Sequence, residues 1–243
     1  DAQLESLILD LGSLKSVRAA AAEFMSRNVA LHGLILNAGI MATPLGHTVD
    51  GFEQQFGVDH LGHFLLARDL LPRLVESAPA RVVVLSSAGH RMGDVDFDDV
   101  NFERRDYEAF VAYGAAKTCN VLHAVEIDRR YRDQGVRAFA VHPGVIHTEL
   151  GRYMTDETMA SLISRLSESP AAMAWKSPEQ GAATSVWAAT SSLLDGRGGE
   201  YCEDCNVSAV VADGELNDGG VAARAVDPAR AATLWALSEK LVG

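Results

Sequence analysis

Cysteine is scarce, with three in 243 residues. That excludes a disulfide framework and points to a reducing compartment, the cytoplasm. Basic blocks are missing as well. Lys and Arg number 21 against 33 Asp and Glu, for a formal net charge of -12, so no nucleic acid is expected as a partner. No apolar run reaches membrane-spanning length and no signal-peptide pattern opens the chain, so no membrane segment is expected. Internal repeats, linkers and low-complexity tracts are also missing. What remains is enough chain for one large domain, residues 1–243, with a substantial core.

Alanine is abundant, and helical patterns alternate with strand patterns, an α/β composition. Leu4 to Leu9 reads as a short buried strand ending in Asp10-Leu11-Gly12. Ser13 is placed to cap a helix with Val17, Ala20, Ala21, Phe24 and Met25 on one face. Leu34-Ile35-Leu36 is the next strand, and Phe52 to Glu76 is helical with Phe56, Leu61, Phe64, Leu65 and Leu71 as core. Arg81-Val82-Val83-Val84-Leu85 is the most strand-like run. Gly93 to Arg105, with Asp94, Asp96, Asp98 and Asp99, reads as a solvated insertion without the glycine and terminal glutamate of a calcium loop. A helix to about Arg132, a strand from Val136 to Val141, a helix from Pro178 to Ala189, and a last strand at Gly199 to Cys202 follow. Asp227-Pro228 opens a final amphipathic helix carrying Leu234, Trp235, Leu237 and Leu241.

The chemistry centres on Tyr113-Gly-Ala-Ala-Lys117. A tyrosine and a lysine four apart stand one turn apart on a helix face. A phenol ionises near pH 10 in water, and a nearby ammonium favours the phenolate and lowers that value. The pair can therefore exchange a proton with an alcohol oxygen near neutral pH. Other small or polar residues stand at strand ends: Asn37-Ala38-Gly39 after Leu36, Ser86-Ser87 after Leu85, and His142-Pro143-Gly144 after Val141. A small-residue turn there lets a ligand approach the backbone closely, although it is equally what an ordinary turn needs. His60 and His63 could face a metal, but no third ligand is suggested by spacing, so both read as surface or packing residues. The Cys202-x-x-Cys205 pair likewise lacks further ligands. No metal is expected.

Taken in order, Asp10, Asn37-Ala38-Gly39, Ser87, Tyr113-xxx-Lys117 and Pro143-Gly144-x-Ile146-x-Thr148 resemble the short-chain dehydrogenase/reductase family. The phrases FGVDHLGHFLL, SSAGH and HPGVIHTEL resemble its retinol dehydrogenase and WW-domain oxidoreductase branch, and so does the long Ser87-to-Tyr113 interval. The resemblance implies a doubly wound, Rossmann-type parallel sheet with helices on both faces. It implies hydride transfer between NADP or NAD and an alcohol, aldehyde or ketone, with the branch leaning to NADP. By the same resemblance Tyr113 is the acid/base, Lys117 lowers its pKa and holds the nicotinamide ribose, and Ser87 hydrogen-bonds the substrate oxygen. Asn37, Ala38 and Gly39 would line the cofactor, with Asp10 beside the adenine. Pro143, Gly144, Ile146 and Thr148 would hold the carboxamide end. The apolar, alanine-rich stretch at 153–176 would form a lid over a lipophilic substrate, and a homodimer is open.

Two features depart from the family. The phosphate loop TGxxxGxG is absent from the sequence, which begins at what the family makes its third strand. About 60 residues, two strand-helix units, are unaccounted for. In the sheet order 3-2-1-4-5-6-7 their absence leaves a gap of about 14 Å. The expectation is either a longer chain or impaired cofactor binding. The second departure is Asp59, where the family usually carries an asparagine, the fourth catalytic member, linked to the lysine through water. Three readings follow. The first is an NAD(P)-dependent alcohol/carbonyl oxidoreductase. The second is a non-catalytic remnant or interaction module. The third is a sugar-nucleotide epimerase or dehydratase, disfavoured because fewer than 100 residues follow Gly144.

Overall fold

The computed structural model describes residues 3–155, 158–160, 162, 175–214 and 219–243. The central sheet is built from four parallel strands, β1 (Gly33–Leu36), β2 (Ala80–Leu85), β3 (Val136–His142) and β6 (Glu200–Glu203), in that spatial order. The short β7 (Asn206–Val207) closes one edge antiparallel to β6. Two-residue strands β4 (Val145–Ile146) and β5 (Trp175–Lys176) pair with each other, as do β8 (Val210–Val211) and β9 (Val221–Ala222). Residue alternation separates the two faces. Val82, Val84, Ala138 and Ala140 belong to one core with α1 (Leu14–Ser26), α2 (Gly62–Glu76), α3 (Ala109–Tyr131) and α5 (Pro228–Val242). Val83, Leu85, Phe139 and Val141 form the opposite core, with Ala188 of α4 (Pro178–Thr190). A strand buried on both faces has no polar side to display, which is why β2 reads as a continuous apolar run.

Local chemistry sets the helix starts. Ser13, Glu108, Ser177 and Asp227 accept backbone N–H groups at the N-termini of α1, α3, α4 and α5, which supplies partners for donors the helix itself cannot satisfy. Helix α3 is buried on nearly every side from Phe110 to Asp128, because it lies between the sheet and α5. A π-helical turn, Phe56–Leu61, runs directly into α2. The strands β1, β2 and β3 are parallel, so their C-terminal ends, and with them Asn37-Ala38-Gly39, Ser86-Ser87 and Pro143-Gly144, lie along one edge of the sheet.

Three expectations need correction. Leu4 to Leu9 forms no strand, and Leu4 and Ile8 are more than nine-tenths exposed. A strand persists only where its N–H and C=O groups find partners, and no described strand lies alongside it. The outer flank of β1 carries no described strand either, which leaves Ile35 45% exposed. The acidic stretch from Gly93 to Arg105 is not simply solvated: Val95 and Phe102 are buried, Asp99 is buried and accepts the N–H groups of Glu103 and Arg104, and Asp94 pairs with Arg230 and Arg224. Its carboxylates answer backbone donors and arginines from distant sequence, which local composition does not reveal. Residues 200–203 are followed by three further strands, each too short for alternation to show. Most of the 153–176 stretch lies outside the described residues.

His60, His63 and His123 pack where α2, α3 and α5 meet. The His60 ring lies edge-on to His123 and its Nε2 is 2.8 Å from Ser238 Oγ, while Phe64 stacks edge-on against Trp235. These are packing histidines. Burial, with the neighbouring rings and Lys117 adding to it, lowers His60 to about 3 and His63 to about 4, and His123 falls well below its usual value. The unfolded chain therefore binds protons that the folded chain refuses. Their stabilisation is complete above an unfolded value of about 6.5 and is lost as pH falls below it. The melting temperature should drop between pH 6.5 and 4.5, and His123→Phe should flatten part of that drop. A melting temperature constant over this range would contradict the assignment.

Candidate active site

Helix α3 brings Tyr113 and Lys117 to the C-terminal end of β2, and polar groups inside the helix hold it there. Ser86 Oγ donates to the Lys117 carbonyl at 2.8 Å, and Asn120 Nδ2 donates to the Leu85 carbonyl at 2.9 Å. Thr118 Oγ1 lies 3.0 Å from the carbonyls of both His90 and Gly93. The helix can approach this closely because residue 114 is glycine: a Cβ there would stand 2.4 Å from the Gly93 nitrogen and 2.7 Å from the Gly89 carbonyl. Glycine in mid-helix costs about 1 kcal/mol relative to alanine, and here that cost secures the contact.

Lys117 Nζ lies 3.1 Å from Asp59 Oδ2, with the two side chains 5% and 0% exposed. The other carboxylate oxygen, Oδ1, accepts the Ile40 N–H at 2.9 Å. The pair thus joins three segments: the π-helical turn, helix α3, and the turn after β1. A Cβ on Gly39 would come 3.3 Å from both Asp59 Oδ1 and Lys117 Nζ, so this turn lies directly on the pair. The contact is direct rather than through a water, because a carboxylate oxygen in the π turn already reaches the ammonium. The Asp59 carbonyl, meanwhile, accepts from His63 Nδ1 at 3.1 Å.

Tyr113 is buried, the Ser87 side chain acts on its phenol in favour of the ionised form, and Lys117 Nζ is 5.4 Å from its ring centre. Ser87 has extended backbone and its Oγ also accepts the Gly89 N–H at 3.0 Å. Burial raises the Tyr113 phenol above its usual value; Lys117 and the Ser87 hydrogen bond oppose that, and Asp59 adds to it. The ammonium does favour phenolate as expected, but desolvation outweighs it. Burial would lower Lys117, yet Asp59 and Tyr113 outweigh it and raise the ammonium. Burial likewise pushes Asp59 upward against the pull of Lys117 and the Ile40 N–H. At neutral pH the arrangement is a protonated phenol beside a firmly charged ammonium, poised to give a proton.

The other expected residues surround this centre without joining it. Asn37 and Ala38 are exposed at the end of β1, beside Gly39. Asp10 is exposed, and its carboxylate accepts the Gly12 N–H at 2.9 Å. Thr148 is exposed and caps residues 149–151, while Ile146 pairs with Lys176 in the β4–β5 ladder. Pro143 and Gly144 are half-buried; Gly144 has φ +94° and carries the Lys176 side chain where a Cβ would stand. Sequence reasoning placed Ser86 at the strand end without its bond to the Lys117 carbonyl, and missed Thr118, Asn120 and Ile40. Polar residues in an otherwise apolar buried helix were a signal for Thr118 and Asn120. No residue-level signal marks Ile40, which acts through its backbone.

Residues 1–158 match the short chain dehydrogenase family. The chain belongs to that family. It is 43% identical to the short-chain dehydrogenase/reductase prx1 of Penicillium roqueforti over 99% of this chain and 71% of that protein. It is 43% identical to retinol dehydrogenase 12 of Mus musculus, over 97% of this chain and 68% of that one. The crystal structure of an uncharacterised Mycobacterium paratuberculosis protein superposes with TM-score 0.68 at 36% identity, covering 96% and 74% of the two chains. The chain is thus a short-chain dehydrogenase/reductase of the retinol dehydrogenase-like branch, an NAD(P)-dependent oxidoreductase. The residues at the C-terminal sheet edge fit the nicotinamide half of such a cofactor. The Gly39 backbone lies against Lys117, whose ammonium has three donors, and Gly144 opens the turn after β3. No TGxxxGxG stands among the 243 residues to cradle the pyrophosphate. Among the described residues no helix is long and apolar enough to cross a membrane.

Asp59 lies beside Lys117 and raises Tyr113. In this short-chain dehydrogenase, Asp59→Asn should therefore lower the apparent pKa of the basic limb of kcat against pH. Superimposable profiles for the two proteins would remove the carboxylate from the proton relay.

Proposed function

We propose that this chain reduces a lipophilic aldehyde or ketone to the alcohol, and runs the reverse oxidation, with NADP(H) preferred over NAD(H). The carrying observation is the buried Tyr113 with the Lys117–Asp59 ion pair beside its ring and the Ser87 side chain acting on its phenol. When bound, the nicotinamide supplies or accepts the hydride, and the protein supplies orientation and the proton. In this reading Ser87 donates to the substrate oxygen and stabilises charge as it develops. Tyr113 hands its proton to the same oxygen. The phenol is protonated at pH 7 and so able to donate, while its raised pKa makes it the weaker acid, a cost that Lys117 must offset. Lys117 stabilises the phenolate left behind and offers donors to the nicotinamide ribose. Gly39, with Asn37 and Ala38, would lie along the cofactor, with Asp10 toward the adenine. Pro143, Gly144, Ile146 and Thr148 would hold the carboxamide end.

The lipophilic substrate class rests on the apolar, alanine-rich 153–176 stretch as a lid and on the names of the retinol dehydrogenase relatives. The preference for NADP rests on that branch likeness. A reducing compartment such as the cytoplasm suits the three free cysteines, and a homodimer is part of this reading.

The test is NADPH-dependent reduction of decanal and of retinaldehyde by the natural chain, with NADPH fluorescence titrated alongside. Tyr113→Phe keeps the ring and removes the titratable oxygen. It should lower kcat at least ~100-fold, within the range for general acid–base catalysis, with NADPH binding little changed. Near-normal turnover in the variant would refute the role of Tyr113. No saturable NADPH binding by the natural chain would favour a non-catalytic interaction module instead.

A further inference from the structure

Two histidines that the site does not use converge on one peptide unit. His90 Nδ1 lies 2.6 Å from the Ser87 carbonyl oxygen. His142 Nδ1 lies 3.3 Å from the Ala88 nitrogen. The Ser87 C=O and the Ala88 N–H are the two polar ends of a single planar peptide. His90 is gripped in turn: its Nε2 accepts the Ala222 N–H of β9 at 3.1 Å, and its carbonyl lies 3.0 Å from both Thr118 Oγ1 and Arg224 Nη2.

These partners settle both tautomers. Ala222 can only donate, so the His90 proton sits on Nδ1 and is donated to Ser87 O. Ala88 can only donate, so His142 Nδ1 is bare and its proton sits on Nε2. We infer that His90 and His142 are positioning residues that clamp the Ser87–Ala88 peptide from opposite ends, and so aim the Ser87 hydroxyl at the reacting oxygen. Rotation of that peptide would carry the serine side chain with it, and misplacement by about 1 Å can cost ~100-fold in rate. Both rings are held neutral, at about 4, chiefly by burial. Arg91, Arg224 and His142 also disfavour charge on His90, whose ring packs against Tyr201. Lys176 and Arg91 do so for His142, against a weaker opposite pull from Asp204. A proton added to His90 Nε2 or His142 Nδ1 would turn an acceptor into a donor facing an N–H.

The inference rests on the reading of Ser87 as the donor to the substrate oxygen. Two measurements test it. Long-range ¹H–¹⁵N correlation spectra of the histidine rings at pH 7 should show His90 as the Nδ1–H tautomer and His142 as the Nε2–H tautomer. The reverse assignment for either ring overturns the clamp, whatever the activity. In NADPH-dependent reduction of decanal, His142→Leu and His90→Leu should each lower kcat at least about tenfold, with KM for NADPH little changed. His142→Asn, whose Oδ1 can accept at the position of Nδ1, should recover most of the loss. In a Ser87→Ala background His142→Leu should cost nothing more, because it acts through that serine. A full additional loss there, or no recovery in His142→Asn, overturns the inference. An unchanged kcat in Ser87→Ala overturns the reading of Ser87 and the inference with it. That failure is recognisable because the two tautomers would still be as described.

Discussion

Lys117 and Asp59 meet at 3.1 Å with almost none of either side chain open to solvent. Two opposite charges placed this deep each lose several kcal/mol of hydration, and their attraction repays it only with good geometry and further hydrogen bonds. The Ile40 N–H on Asp59 Oδ1 supplies one such bond. The pair therefore constrains more than itself. It ties the π turn at Phe56–Leu61, helix α3 and the turn after β1 into one unit, and the Tyr113 ring lies beside the ammonium. Removing either partner alone would leave a buried charge uncompensated.

The remaining architecture serves that unit by holding the ends of three parallel strands level. The period of two in β2 and β3 sends alternate side chains into cores on opposite faces, so a slip by one residue would exchange the side chains of the two cores and misfit both. The rigid frame puts Leu36, Leu85 and His142 at one edge. From there Ser86 and Asn120 lock α3 against the end of β2, and the absence of a side chain on Gly114 lets the helix settle against Gly93. The chemistry is thus carried by short turns, and their positions are set by the sheet.

Much of this was legible in sequence where a pattern repeats or a residue type has one strong use. The all-apolar β2, the Ser13 cap, the YxxxK spacing and the Asp227-Pro228 helix start all follow from local rules, and the structure agrees. The failures share a cause. Leu4–Leu9 has a strand's composition, but a strand also needs a neighbour, and composition cannot supply one. Asp94 looks solvated because its partners, Arg224 and Arg230, lie about 130 residues away. Asp59 reads as a charged residue at the asparagine position, linked to Lys117 through a water, and only the structure makes that contact direct. The net rise of the Tyr113 pKa depends on burial, which a motif does not state.

The most direct test of the ion pair is a double-mutant cycle on Asp59→Asn and Lys117→Met, read by denaturant unfolding. Each single change should destabilise the protein by about 3 kcal/mol, as expected when one member of a buried pair is lost. The double variant should lose at least ~1 kcal/mol less than the sum of the two. Strict additivity, with small single losses, would mean that the pair does not hold the three segments together and that the account of the site built on it is wrong.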